Sequence, residues 1–198
     1  MENKDKIILH LCADIGSDTK PYKDAGYDVR LIGSSIGIEN YHPPKNVYGI
    51  IANPPCTMFS IARQRAATPR DLREGMRLVK ECLRIIWECQ YDTPQNKLIC
   101  PLKFWVIENP ATGMLKYFLG RPTFQYSPHE FGADFMKRTA LWGMFNEPKK
   151  DFWTNQIGTG RSSSDVITPM NTRNRYDRMN ARSMCYPGFA KAFFIVNQ

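Results

Sequence analysis

The sequence lacks the patterns that mark several common protein classes. Its six cysteines include no Cys-x-x-Cys pair, and His42 has no second histidine or cysteine at ligand spacing, so we expect no metal site. No apolar run is long enough to span a membrane, and the first one is too short for a signal peptide. We therefore expect a cytoplasmic protein with reduced thiols and no membrane partner.

Length and composition indicate one globular domain. A chain of 198 residues is long enough to bury a core, and its 42% hydrophobic and 23% charged residues are ordinary for a folded protein. The net charge of +8 is less ordinary. It favours a polyanionic partner, with nucleic acid first among the candidates.

A short apolar segment at 47–52 ends abruptly in Pro54, Pro55 and Cys56. Its length and β-branched content predict a buried strand. Proline cannot continue a hydrogen-bonded ladder, so the chain must leave the sheet there in a stiff turn. Cys56 is then presented at the carboxyl end of a strand, where open α/β sheets bind ligands. The alternative is a small buried cysteine without a chemical role.

A second apolar segment, at 103–107, ends in the same way but with a carboxylic acid. Glu108, Asn109 and Pro110 follow it directly. A helical segment separates the two predicted strands, which favours a βαβ unit with both strands in one sheet. If these strands are neighbours, the Cys56 thiol and the Glu108 carboxyl face each other across a cleft.

The run Pro54-Pro55-Cys56 with Phe59-Ser60, followed by Glu108-Asn109, resembles the catalytic pair of the DNA cytosine C5-methyltransferases. The similarity is closest to the short phage and prophage members, which lack a full target-recognition domain. It implies an α/β, Rossmann-like, S-adenosylmethionine-dependent methyltransferase fold, with a mostly parallel sheet and helices on both faces. We expect it to cover 1–198 as a single catalytic domain, acting on DNA in a bacterium or a phage-infected host.

The resemblance also implies a mechanism. The Cys56 thiolate adds to carbon 6 of cytosine, and Glu108 holds ring nitrogen 3, so carbon 5 becomes nucleophilic and takes the methyl group. A base then removes the carbon 5 proton and Cys56 is expelled. Because the target atom cannot be reached inside a stacked duplex, the base must be flipped out or already single-stranded.

The turn after the first predicted strand, 6–13, resembles the segment that cradles S-adenosylmethionine in this family. The family usually has glycines at the positions of Asp14 and Ser17, and only Gly16 matches well. Without the resemblance, this segment is equally a plain strand-to-helix connection. The cofactor-binding residues that the resemblance implies are Cys12, Ala13, Asp14, Gly16, Ser17, Gly33, Ser34, Asn53 and Pro54.

The tip of the second predicted strand, 27–32, lacks an acid. Rossmann-like folds often place an acidic residue there to bind ribose hydroxyls, but Gly33 occupies the tip here. Glu39 comes later and serves only if the loop folds back. The methyl donor is therefore either bound without this contact or replaced.

Basic residues are expected to contact DNA. Lys137 and Arg138 lead into an apolar strand and resemble the family segment that helps to hold the flipped cytosine, and the choice between them stays open. A basic loop at about 149–176 stands where longer members insert a target-recognition domain. The expected DNA contacts are Ser60, Arg63, Arg65, Arg161, Arg173 and Arg175.

One helix is clear from the sequence. Thr68 is a candidate N-cap and Pro69 suits the first helical position. Apolar residues then recur at helical spacing, which predicts a core-facing stripe. The stripe is Leu72, Met76, Val79, Leu83 and Ile86.

Three rival functions remain. The first is a cytosine-modifying enzyme on the same scaffold that uses another electrophile or an atypical donor site. The second is a non-catalytic, DNA-binding methyltransferase-like protein, although a mere binder needs neither Cys56 nor Glu108. The third is an amino-methyltransferase, which Asn53-Pro54-Pro55 also resembles, but Cys56 is not the aromatic residue that such a site stacks on its base.

Overall fold

The computed structural model describes residues 2–13, 15–92, 97–98, 102–150 and 183–198, with the side chains of 65, 92, 97 and 98 left aside. Asp14, Cys100 and the predicted basic loop from 151 onwards lie outside these residues. The predicted contacts Arg161, Arg173 and Arg175 therefore lie outside them as well.

A six-stranded mixed sheet forms the centre of the described fold, in the order β2-β1-β3-β6-β8-β7. Its strands are β1 (Ile7–Leu11), β2 (Asp28–Ile32), β3 (Val47–Ala52), β6 (Phe104–Pro110), β7 (Phe124–Tyr126) and β8 (Thr139–Met144). A separate antiparallel pair consists of β4 (Tyr91–Asp92) and β5 (Lys97–Leu98). The predicted α/β class is confirmed.

The prediction of a mostly parallel sheet is only partly correct. The strands β2, β1, β3 and β6 are parallel, whereas β8 runs antiparallel to both β6 and β7. The reason lies in the connections. A parallel neighbour needs a crossover of a dozen or more residues, usually a helix that packs on the sheet. Only the four-residue helix α3 (Lys116–Leu119) lies between β6 and β7, and only a single 3-10 turn (Pro128–Phe131) lies between β7 and β8.

Helices cover both faces of the sheet, as the sequence predicts. Helix α2 (Leu72–Gln90) packs on one face, where its Val79 joins Leu9 and Ile50 in the core. Helices α1 (Lys20–Asp24) and α4 (Pro187–Val196) cover the other face. Within the described residues, no helix is both long and apolar enough to cross a membrane.

Helix α2 begins later than the sequence predicts. Its N-cap is Asp71, whose side chain accepts a hydrogen bond from the Glu74 N–H at 2.9 Å. Thr68 instead accepts a 2.7 Å hydrogen bond from Arg63 and belongs to the preceding loop. Asp is as good an N-cap as Thr, and the sequence offers both within one turn.

Candidate active site

Neighbouring strands bring the two predicted catalytic segments together. β3 and β6 pair in parallel, with Ala52 opposite Ile107, so Glu108 of β6 lies beside the point where the chain leaves β3 towards Cys56. Buried Asn109 ties the two strand ends together, because its side-chain amide donates a 2.9 Å hydrogen bond to the Pro54 carbonyl. The predicted adjacency of the two strands is therefore observed, but the prediction that the second strand ends before Glu108 is wrong, because pairing with β8 continues β6 to Pro110.

Backbone contacts hold the loop that follows Cys56. The Phe59 and Ser60 N–H groups donate to the Cys56 carbonyl at 2.9 and 2.7 Å, which closes a tight turn. The Arg70 guanidinium donates to the carbonyls of Met58 and Ser60 at 2.7 and 2.8 Å. Phe59 is fully buried beneath the loop, so the position of the thiol is anchored from both sides.

Cys56 and Glu108 lie in one electrostatic environment. Burial raises the pKa of the Cys56 thiol, the nearby Glu108 carboxylate raises it further, and the Lys137 ammonium opposes both effects. Burial also raises the pKa of the Glu108 carboxyl, and Lys137 opposes this shift, while Asp18 adds to it. A carboxyl with a raised pKa keeps its proton more readily, which suits a group that donates a proton to a ring nitrogen.

A row of polar side chains crosses the same face of the sheet as Glu108. Alternation along each strand puts Ile8 and His10 of β1 on this face, and likewise Val106 and Glu108 of β6. Asn53, directly after β3, lies between His10 and Glu108 in the order of the strands. The sequence analysis missed His10, although a histidine inside a buried apolar strand was a visible signal.

Two small cavities adjoin Glu108, between this sheet face and the segment that leads into α4. Asp18, Glu108 and Cys185 line both, and Asn53 and Lys137 line the second. Each has a volume of about 10 Å³, enough for about one water molecule. A pyrimidine is much larger, so its entry requires the lining side chains to move apart.

The predicted cofactor loop brings one carboxylate to the cavities beside Glu108. The chain after β1 takes left-handed turns at Cys12 (φ 58°) and Gly16 (φ 72°), which exposes backbone groups at the edge of the sheet. The Cys12 sulfur lies 3.9 Å from that of Cys82, so this side chain faces the core under α2. The Asp18 carboxylate, in contrast, lines both cavities beside Glu108, and its charge suits the cationic methionine end of S-adenosylmethionine.

The ribose end of the predicted cofactor site fits less well. Gly33 and exposed Ser34 begin a turn after β2, in which the Gly33 carbonyl accepts hydrogen bonds from Ile36 and Gly37. Glu39, the one later acid considered for the ribose, forms an ion pair with Arg77 of α2. No carboxylate of the described residues therefore stands at the tip of β2.

The remaining cofactor-site residues have structural contacts of their own. The Ala13 N–H donates to the Ile32 carbonyl at 3.3 Å, and Ala13 is buried. The Ser17 hydroxyl accepts a 3.0 Å hydrogen bond from the Cys185 N–H and lies 3.4 Å from the Asp18 carboxylate. Ser17 thereby joins the turn after β1 to the segment before α4.

Lys137 and Arg138 differ in their surroundings, since Lys137 lies at the site and Arg138 is exposed to solvent. The charge of Lys137 acts on both Cys56 and Glu108, and Lys137 lines the second cavity. Arg138 is exposed, and its carbonyl accepts a 2.9 Å hydrogen bond from the Ala111 N–H. The geometry therefore favours Lys137 as the basic residue of the site.

Three of the predicted DNA contacts lie in the loop beyond Cys56. Ser60 caps the 3-10 helix Ile61–Arg65, since its side chain accepts from the Ala62 N–H at 3.2 Å. Arg63 donates to Thr68 and to the Pro69 carbonyl, so its guanidinium braces the loop in this conformation. Arg65 lies at the end of the same 3-10 helix.

Among the described residues, no group of three or more histidine, cysteine, aspartate or glutamate side chains is arranged to hold a metal ion. No protein-family model matches the chain, and no curated protein matches it either.

Proposed function

We propose that the protein is a DNA cytosine C5-methyltransferase with Cys56 as nucleophile. The observation that carries the proposal is the parallel pairing of β3 and β6, which brings a thiol and a carboxyl with a raised pKa to one edge of the sheet beside the Lys137 ammonium. Such a pair suits a pyrimidine ring, in which one atom is attacked and another must accept a proton or a hydrogen bond.

Each residue has one task in this proposal. The Cys56 thiolate adds to carbon 6 of the cytosine and later leaves it, when the proton on carbon 5 has been removed. Glu108 shares its proton with ring nitrogen 3 and so takes up the charge that the addition pushes into the ring. Lys137 stabilises the thiolate. S-adenosylmethionine supplies the methyl group when bound, and Asp18, with the backbone of the turn after β1, would hold its cationic end.

Methyl transfer to DNA tests the proposal directly. Wild-type protein is incubated with tritiated S-adenosylmethionine and cytosine-containing single- or double-stranded DNA, and the incorporated label is located by nucleoside analysis. We expect label in 5-methylcytosine with the wild type and none with Cys56→Ala. Label on adenine or on the cytosine amino group, or equal label with Cys56→Ala, would reject the proposal.

A second candidate keeps Cys56 and Glu108 but uses another electrophile or an atypical donor site. It is favoured by one observation, the ion pair between Glu39 and Arg77, which leaves the tip of β2 without a described carboxylate. Calorimetric titration separates the two candidates. Saturable binding of S-adenosylmethionine supports the methyltransferase, whereas no binding, together with Cys56-dependent modification of cytosine, supports the second candidate.

A further inference from the structure

The contacts of His10 and Asn53 form a connected path to Glu108. Asn53 and Glu108 line the same cavity, and a hydrogen bond from the Asn53 side chain lowers the pKa of the Glu108 carboxyl, so the amide N–H group is the donor. The amide oxygen of Asn53 is then the atom that faces His10, and it lies 2.9 Å from the imidazole Nε2. The histidine must therefore carry its proton on Nε2.

The other side of the imidazole agrees with this tautomer. His10 is buried, and burial lowers the pKa of its imidazole, so the neutral form is favoured although Asp18 and the Asn53 hydrogen bond act in the opposite direction. Nδ1 is then an acceptor, and the hydroxyl of buried Thr19 lies 3.1 Å from it. The same hydroxyl donates its single proton to the Gly16 carbonyl at 3.2 Å, and it donates to Nδ1 only when it rotates.

We propose that His10 and Asn53 form a positioning pair for Glu108, in which the imidazole orients the Asn53 amide and the amide fixes one side of the carboxyl group. A carboxylate offers about four lone-pair sites, so one amide bond fixes its plane and leaves acceptors for a base. The role of Glu108 in binding the substrate cytosine rests on the proposed function.

Three strands must cooperate for this arrangement. His10 lies on β1, Asn53 directly follows β3, and Glu108 lies on β6, and these strands are consecutive neighbours in the sheet. The Asn53 N–H also donates to the Leu11 carbonyl at 3.0 Å, so the backbone beside the amide is held by β1. A small side chain in place of Asn53 would leave a buried imidazole N–H without this acceptor.

The test measures the titration of Glu108 without requiring catalysis. The full-length protein is labelled with ¹³C at glutamate carboxyl carbons, and Glu108→Gln identifies the signal. Asn53→Ala removes a donor to the carboxylate, so we expect the pKa of Glu108 to rise. Asn53→Leu, which keeps the volume, serves as a second variant if the alanine variant fails to fold.

Two substitutions of His10 separate positioning from packing. His10→Gln keeps an N–H that can reach Asn53, whereas His10→Leu has similar bulk and no donor. We expect Leu to raise the pKa of Glu108 and Gln to leave it near the wild-type value. In an Asn53→Ala background, the effect of His10→Leu should be much smaller, and what remains should pass through Asp18, whose carboxylate lies 3.7 Å from the His10 Nε2.

Several ionisable groups of the described residues are electrostatically coupled to Glu108 and influence its titration. Lys137 and Asp18 act on its carboxyl, and it acts in turn on Cys56, Tyr126 and Cys185. None of these is changed in the variants. An unchanged titration in both Asn53 variants, or equal effects of His10→Leu with and without Asn53, would overturn the proposal.

The functional consequence is measured separately. If wild-type protein methylates cytosine, Asn53→Ala and His10→Leu should slow the reaction about tenfold to a hundredfold, the range expected when a hydrogen bond to a charged group is lost. His10→Gln should stay near the wild-type rate. If wild-type protein makes no product, the proposed function fails, while the titration still decides whether the pair positions Glu108.

Discussion

At the scale of single residues, the proposed chemistry depends on three ionisable groups that lie close together: the Cys56 thiol, the Glu108 carboxyl and the Lys137 ammonium. Burial raises the pKa of both Cys56 and Glu108, and the Glu108 carboxylate raises that of Cys56 further, because a negative neighbour disfavours a thiolate. Lys137 lowers the pKa of both. Each group therefore holds its proton more tightly than it would in water.

Alkylation of Cys56 by iodoacetamide should report this balance. Only the thiolate reacts, and the pKa of Cys56 is raised, so the rate should increase about tenfold per pH unit between about pH 7 and about pH 9. Lys137→Met should slow alkylation at a fixed pH by roughly threefold, because the positive charge that favours the thiolate is lost.

The matched control for this prediction is Arg138→Met, since Arg138 is the exposed neighbour of Lys137. Peptide mass spectrometry isolates the Cys56 signal from those of the other cysteines. Equal slowing in the two variants would contradict the assignment of Lys137 to the site.

The residues of the site differ in how far the sequence reveals them. Cys56 and Glu108 each follow a short apolar run and precede or follow proline, and that local pattern is visible without a structure. The contact between His10 and Asn53 joins positions 43 residues apart and depends on strand order. No local pattern encodes that contact, so the sequence could only indicate that a buried histidine needs partners.

At the scale of elements, the loop after β3 is held by a helix that begins beside it. Arg70, just before α2, donates to two carbonyls of the loop, and Gly75 of α2 allows a close approach, since a Cβ there would lie 2.8 Å from that of Met58. The start of α2 and the loop after β3 therefore form one packed unit.

Removing the Arg70 guanidinium should loosen this unit. Arg70→Gln loses hydrogen bonds from a charged donor, worth about 1–3 kcal/mol in total at a partly buried position. The amide hydrogens of Phe59 and Ser60, which bond to the Cys56 carbonyl, should exchange about tenfold to a hundredfold faster. Arg73→Gln, at an exposed position one turn away, should leave these exchange rates unchanged. Identical exchange rates in the two variants would contradict the role of the Arg70 hydrogen bonds in holding the loop.

Element boundaries were harder to predict than element types. β3 occurs at Val47–Ala52, as the sequence predicts. Its end could be predicted because Pro54 and Pro55, which cannot continue a ladder, follow it in the sequence. The antiparallel placement of β8 was missed, since strand order depends on connection lengths across the whole β6–β8 region. Helix α2 was predicted with the correct apolar stripe but the wrong cap, because two capping residues lie within one turn.

At the scale of the whole molecule, the site costs stability. The pKa of Glu108 is raised in the folded state, so the folded protein holds this proton more tightly than the unfolded chain does. Stability contributed by the protonated acid is complete below the unfolded pKa, about 4.3 for a glutamate. It is lost as the pH rises through the folded pKa.

Glu108→Gln should therefore stabilise the protein at neutral pH, because glutamine cannot ionise. We expect a higher Tm than that of the wild type near neutral pH, and a gain that shrinks as the pH falls from the folded pKa to the unfolded pKa and stays constant below it. Glu147→Gln, at an exposed position, provides the control. A lower Tm for Glu108→Gln at neutral pH, or a gain that grows in acid, would contradict the assigned environment of Glu108.

The central claim is that Cys56 attacks carbon 6 of a cytosine held by Glu108. DNA containing 5-fluorocytosine, incubated with the protein and S-adenosylmethionine, traps this adduct, because fluorine cannot leave carbon 5 as a proton does. We predict a complex that resists denaturation, with the DNA mapped to Cys56 by mass spectrometry. Cys56→Ala should form none, and Glu108→Gln should form it at least about a hundredfold more slowly. A wild-type protein that binds this DNA but forms no adduct, or forms it on another cysteine, would contradict the account.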